Sequence, residues 1–257
     1  MNSKKNQGFT LVELLVVIGI LGILSAALFP AIGNAMMQAN MTAVGTRGKD
    51  IFVAIIGANT EREPLGLGNV WPKTQLDAGQ TATGSNPDIS EETFSSSSKY
   101  FYKLLDGEHL GSDEWSPYVA GLDYSKLAGA GVTAKSGSGE LTDQNNMWVI
   151  GANVRDEMED IIPILITRNF NCAKLYKDLQ DGTSTERISS WTSDAYKSPF
   201  SNKGFVMVRK GGAIFKARDK YVTVRVIYQG QSFKTTITGS TAPAFTYLGP
   251  TASQDPQ

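Results

Sequence analysis

Hydrophobic and polar positions divide this chain into two parts that obey different rules. Residues 14–46 hold no charged side chain at all, and 14–37 are almost continuously apolar. As a helix rising about 1.5 Å per residue, those 24 residues span roughly 36 Å, enough for a bilayer core of roughly 30 Å. From residue 35 to 61 there is no proline, and Val44, Ile51, Phe52, Ile55 and Ile56 recur at helical spacing with Arg47, Lys49 and Asp50 opposite, the signature of an amphipathic continuation. Pro64 and the Gly66/Gly68 pair end it. Unbroken from Phe9 to Arg62, such a helix is roughly 80 Å long.

The remainder changes period. Trp71-Pro72 marks a turn, and residues 74–98 form a Gly/Ser/Thr/Asp stretch closing on four serines, expected to be an exposed loop. Residues 99–105, with Tyr100, Phe101, Leu104 and Leu105, predict a short helix, and 129–146 a second polar loop. Strand patterns follow at 147–153, 161–168 and 205–217, the last folded at Gly211-Gly212, which predicts a two-residue hairpin turn. Val222, Val224, Val226 and Tyr228 alternate with polar residues and predict a further strand, with 232–238 as the final one. A long N-terminal helix followed by strands gathered in the C-terminal half predicts an α+β fold around an antiparallel sheet.

Composition narrows the chemistry. Lys+Arg number 24 and Asp+Glu 25, with 41% hydrophobic and 19% charged residues. That balance excludes a strongly basic nucleic-acid binder and a wholly disordered chain. The single cysteine, Cys172, excludes an intrachain disulfide and a cysteine-cluster zinc site. The single histidine, His109, excludes HExxH and a His-based metal triad; it reads as a surface loop residue and Cys172 as a small buried hydrophobe. No nucleophile elbow, P-loop or dinucleotide fingerprint stands in a suitable context, and no catalytic residue is assigned. Asp156, Glu157, Glu159 and Asp160 predict an acidic turn between strands and are the calcium candidates of this chain. Asp143, Asn145 and Asn146 are a second oxygen-rich spot.

Lys4 and Lys5 are the only charged side chains before Glu13, which stands at the edge of the apolar run. The positive-inside rule therefore puts the N-terminus in the cytoplasm and the remaining residues across the membrane. Glu13 interrupts what a conventional signal peptide needs, although Ser25-Ala26-Ala27 offers a small-x-small cleavage site. A carboxylate inside a membrane helix costs about 2.5 to 3.5 kcal/mol on insertion scales and is there for a partner. Gly19, Gly22, Ser25, Ala26 and Ala27 thin one side of the helix, and the Gly22-x-x-x-Ala26 spacing lets helices approach closely. Pro30 removes the bond back to Ala26 and predicts a kink or local unwinding.

The run Lys4-Lys5-Asn6-Gln7-Gly8-Phe9-Thr10-Leu11-Val12-Glu13-Leu14-Leu15 resembles the processing motif of type IV prepilins and of type II secretion pseudopilins: a short basic leader ending in glycine, then phenylalanine, then glutamate as the fifth mature residue. The resemblance spans residues 1 to about 60. It implies that a prepilin peptidase cuts between Gly8 and Phe9 and methylates the new amine of Phe9. Glu13, four residues on, can neutralise that amine in its own subunit or in a neighbour. It also implies a long helix packed on an antiparallel sheet, and assembly with other copies or related pilin-like subunits at an inner-membrane assembly platform. Related pseudopilins often bind calcium in a C-terminal loop, but no matching motif occurs here and no cofactor is assigned.

The expected organisation is a leader peptide at 1–8, a transmembrane and polymerisation helix at 9–34, and a periplasmic α+β domain at 35–257. Two function classes follow. One is a structural subunit of a pilus or secretion pseudopilus, anchored in the inner membrane; the other is a membrane-anchored periplasmic binding or hydrolytic domain that does not polymerise. The mature N-terminus separates them.

Overall fold

The computed structural model describes residues 9–74, 93–106, 115–127, 141, 145–169, 185, 200, 203–218, 222–231 and 245–250. It resolves into two compact units, divided between Asn40 and Met41. A long N-terminal helix, α1 (Leu11–Arg62), is followed by a five-stranded antiparallel sheet, the α+β arrangement expected of a pilin-like chain.

In the first unit every helical residue from Leu11 to Met36 is exposed, and so is the apolar run they form. In the second unit, Met41, Val44, Gly45, Gly48, Ile51, Ala54, Ile55, Ala58 and Arg62 are buried. Apart from Ala54, these residues follow one another at helical spacing, a single stripe facing the sheet. Glycines at 45 and 48 let the backbone come close: a Cβ on Gly45 would lie 2.8 Å from Ile214 Cγ2, and one on Gly48 2.6 Å from Trp148 Cη2. Ile56, expected on this stripe, instead remains 39% exposed, because it stands about 100° around the helix from Ile55. Lys49 and Asp50 splay to either flank. Lys49 Nζ donates to the Gly212 carbonyl at 3.1 Å, and Asp50 pairs with Lys126 at 2.6 Å. The helix ends as expected: Glu63–Leu65 form a 3-10 turn holding Pro64, and Gly66 takes φ +71°.

The strands are β1 (Trp148–Ala152), β2 (Pro163–Thr167), β3 (Gly204–Arg209), β4 (Ile214–Arg218) and β5 (Thr246–Leu248), in the order β4-β3-β2-β1-β5 with every neighbouring pair antiparallel. Thus β1 to β4 form a meander, and the last strand returns to pair with the first. The expected strands at 147–153, 161–168 and 205–217 are all present. β1, β2 and β3 are buried along their whole length, so both faces of the central sheet are covered. Only the edge strand β4 shows exposed positions.

The turn between β3 and β4 differs from the two-residue expectation. Gly212 N–H donates to the Arg209 carbonyl at 2.8 Å, and Arg209 N–H to Ala213 O at 2.9 Å, with Gly212 at φ +76°. This is a three-residue loop, a type I turn closed by a left-handed glycine. The Phe52 ring lies against that glycine, 2.8 Å from where a Cβ would be, so glycine is needed there for space as well as for φ.

The alternating segment 222–228 is not a strand. It forms a short helix after α2 (Ser97–Asp106) and α3 (Tyr124–Leu127), here α4 (Val224–Ile227). Thr223 caps it, its Oγ1 accepting from Val226 N–H at 3.2 Å. Val224, Ile227 and Tyr228 are buried and Val226 is 42% exposed, which is the i, i+3, i+4 pattern of a helix rather than period two. α4 covers the sheet face opposite α1: Arg209 donates to the Ile227 carbonyl at 2.8 Å while its guanidinium lies 5.4 Å from the Phe215 ring centre. Burial lowers the pKa of Arg209.

The helix expected at 99–105 begins two residues earlier, at Ser97. Of the four serines expected in an exposed loop, Ser96, Ser97 and Ser98 are buried, because Ser97 and Ser98 hydroxyls donate to the Trp148 and Pro250 carbonyls. The body of that loop, the strand expected at 232–238, His109 and Cys172 lie outside the described residues, as does most of the loop expected at 129–146. β5 was not expected from the sequence.

Candidate functional site

The candidate site is the start of α1. Phe9 and Thr10 precede the helix and Leu11 opens it. Thr10 stands at the N-cap and Glu13 three residues on, and the two close a reciprocal box. The Glu13 amide donates to Thr10 Oγ1 at 3.3 Å; Thr10 N–H and Thr10 Oγ1 donate to Glu13 Oε2 at 2.9 and 2.7 Å. One carboxylate oxygen therefore serves the helix start. Glu13 thus has a use beside the charge partner expected of it, and Thr-x-x-Glu at 10–13 is the sequence signal for it. Phe9 is 76% exposed; Gly8 lies outside the described residues.

Beyond the cap the helix has no internal reason for its small residues. A Cβ added at Gly19, Gly22 or Gly33 would meet nothing within 4 Å. Leu11, Leu14, Leu15, Ile18, Leu21 and Phe29 are 56 to 78% exposed. Ala26 follows Gly22 by one turn, and Pro30 stands inside the helix. By length and composition this helix, with a mean hydropathy of 2.6 in its most apolar stretch, can cross a membrane.

Residues 3–29 match the family model of the prokaryotic N-terminal methylation motif. The chain carries a prepilin-type start. The matched span holds Gly8, Phe9, Glu13, Gly19, Gly22 and Ala26 and stops one residue short of Pro30. Such a motif is what a prepilin-like member of the type IV pilin family carries. No curated protein and no solved structure matches the chain.

The other candidates do not converge on a second site. Asp156, Glu157, Glu159 and Asp160 occupy the turn between β1 and β2, as expected. Lys210 bridges that turn, donating to the Asp156 carbonyl at 3.0 Å and meeting Asp160 at 3.5 Å. Among the described residues no three His, Cys, Asp or Glu side chains gather as a metal site. Asp143 lies outside the described residues. Asn145 and Asn146 are buried, and Asn146 is committed to internal hydrogen bonds: its Nδ2 donates to Ser97 Oγ and Ser98 Oγ, and its Oδ1 accepts from Trp148 N–H.

Proposed function

We propose that this chain is a structural subunit, synthesised as a prepilin, which assembles through its N-terminal helix into a filament of the type IV pilus or type II secretion pseudopilus kind. One observation carries the reading: the prepilin-type start, with Glu13 at the fifth position after Gly8, opens a helix whose apolar side chains are exposed. Lipid can cover that surface in the stored subunit, and other helices can cover it in a filament. The small residues at 19, 22 and 26 then gain a purpose, since they let a neighbouring helix approach. Pro30 gives the helix a point at which to bend in the assembly.

In this reading a prepilin peptidase cuts between Gly8 and Phe9 and methylates the Phe9 amine. The chain is held in the inner membrane with Lys4 and Lys5 in the cytoplasm and the globular unit on the periplasmic side, until an assembly platform adds it to other copies or related subunits. A lone cysteine rules out the intrachain disulfide of disulfide-looped adhesive pilins and favours a secretion pseudopilus. Nothing in the sequence supports a catalytic role.

The test is the intact mass of the protein purified from membranes. The expected mass is that of a chain beginning at Phe9 with one methyl group added. A mature chain that still contains Lys4, or one beginning after Ala27, would return it to the class of anchored or secreted domains. Replacing Gly8 with a bulky residue should block cleavage.

A further inference from the structure

We propose that residues 245–250 form a clasp, latched by Asn146, that closes the sheet edge without a covalent cross-link and opens as one cooperative unit. β5 is only three residues long and pairs Thr246, Tyr247 and Leu248 with Ala152, Gly151 and Ile150 of β1. A ladder so short holds weakly by itself, so its neighbours decide whether it stays. Four contacts surround it. The Phe245 ring covers Gly151, where an added Cβ would lie 2.7 Å from Phe245 Cε2. Tyr247 Oη donates to the Pro163 carbonyl at 2.9 Å. Ser97 N–H donates to Gly249 O at 2.7 Å and Ser98 Oγ to Pro250 O at 2.8 Å.

The last two contacts converge on Asn146. Its Nδ2 donates to Ser97 Oγ at 2.9 Å and to Ser98 Oγ at 3.2 Å, and its Oδ1 accepts from Trp148 N–H at 2.9 Å. Its carbonyl accepts from Arg168 at 2.7 Å, and the Ser97 hydroxyl donates to the Trp148 carbonyl at 2.7 Å. Asn146 and Ser97 are 0% exposed and Ser98 4%. The hub thus ties together the first turn of α2, the start of β1, the end of β2 and the C-terminal segment. In such a network each donor depends on the others, because breaking one bond strands buried partners without water. The clasp is therefore either shut or fully open. It does not depend on the filament reading.

Hydrogen exchange on the full chain in detergent micelles, read by mass spectrometry, tests this. Peptides covering 245–250 and 97–98 are expected to exchange together, and about tenfold or more faster than β3, as a sub-global opening does. Asn146→Ala should accelerate both by a further tenfold or so, the cost of stranding the hub's partners, while 204–209 hold their rate. Gly151→Ala should do the same from the other end by displacing Phe245. Exchange of 245–250 in step with β3 in the wild-type chain would overturn the proposal, and that result needs no variant to fold. So would variants in which every peptide accelerates equally.

Discussion

The alpha carbon of Gly48 faces the indole of Trp148 so closely that a single added methyl would stand 2.6 Å from Cη2 and 2.8 Å from Val208 Cγ2. Neither neighbour is free to move, since both are buried within the sheet and the indole Nε1 donates to the Lys126 carbonyl at 3.1 Å. Gly48→Ala is therefore expected to destabilise the globular unit by about 1 to 3 kcal/mol, despite alanine's better helix propensity. Gly57→Ala, on the same helix with nothing within 4 Å, should be neutral or gain about 0.5 to 1 kcal/mol. Equilibrium denaturation of the two variants measures the contrast.

Removing the helix altogether should be far worse than crowding it. A chain starting at Ala35 keeps Met41, Val44, Ile51 and Ile55, each at most 2% exposed. It should fold cooperatively in water. A chain starting at Pro64 loses them, at about 1.5 to 3 kcal/mol each, against a total stability of about 5 to 15 kcal/mol for a typical domain. Thermal unfolding monitored by near-UV circular dichroism checks this; similar midpoints for both chains would show that residues 35–63 are only a stalk.

Glu13 is predicted to have two separable uses. Glutamine at 13 can still accept from Thr10, as the capping box allows, but cannot neutralise an amine; leucine can do neither. Both Glu13→Gln and Glu13→Leu should insert at least as well as wild type. Both should fail to assemble, because an unpaired charge in hydrocarbon costs about 2.5 to 3.5 kcal/mol. Filament yield on overexpression, compared with the amount of membrane-inserted subunit, reads the two effects apart, and normal assembly by Glu13→Gln would show that the cap is the residue's whole role.

Among the described residues, Asp123 and Tyr100 are shifted in opposite directions. Asp123 caps α3: its Oδ1 accepts from Ser125 N–H at 2.8 Å and from the Ser125 hydroxyl. The side-chain bond to Ser125 is the main cause of its lowered pKa. Its contribution is present above the ordinary carboxylate range and is lost as pH falls through the depressed value. Tyr100 is fully buried, its hydroxyl without a hydrogen-bond partner among the described residues, and burial raises its pKa well above 10.0. Its neutral form suits the fold, so that contribution is intact below the ordinary phenol range and lost as pH rises beyond it. Asp123→Ala should cost about 1 kcal/mol at neutral pH and less in acid. Tyr100→Phe should flatten the alkaline loss of stability.

Long periodic segments were legible from the sequence, and features made by distant contacts were not. α1 was legible because an uncharged apolar run leads into buried positions at a steady 3.6 period. β1, β2 and β3 were legible because buried strands read as apolar runs. α4 was misread because Val222, Val224, Val226 and Tyr228 satisfy period two, while Val224, Ile227 and Tyr228 satisfy the helical period equally well. Thr223 as a cap was the signal that could have decided it. The buried serines and β5 carry no local mark. Ser98 finds its acceptor 152 residues away, and three residues become a strand only because the edge of β1 is there to receive them. The prepilin-type start was legible because its residues are neighbours in sequence; the cap between Thr10 and Glu13, equally local, was missed.

The central sheet has a consequence for how this protein can vary. β1, β2 and β3 show solvent no side chain on either face, so no substitution there can alter what the molecule touches without first repacking its interior. Substitutions that spare the interior packing are therefore expected at the exposed positions instead, such as the outer side of α1 and those of β4.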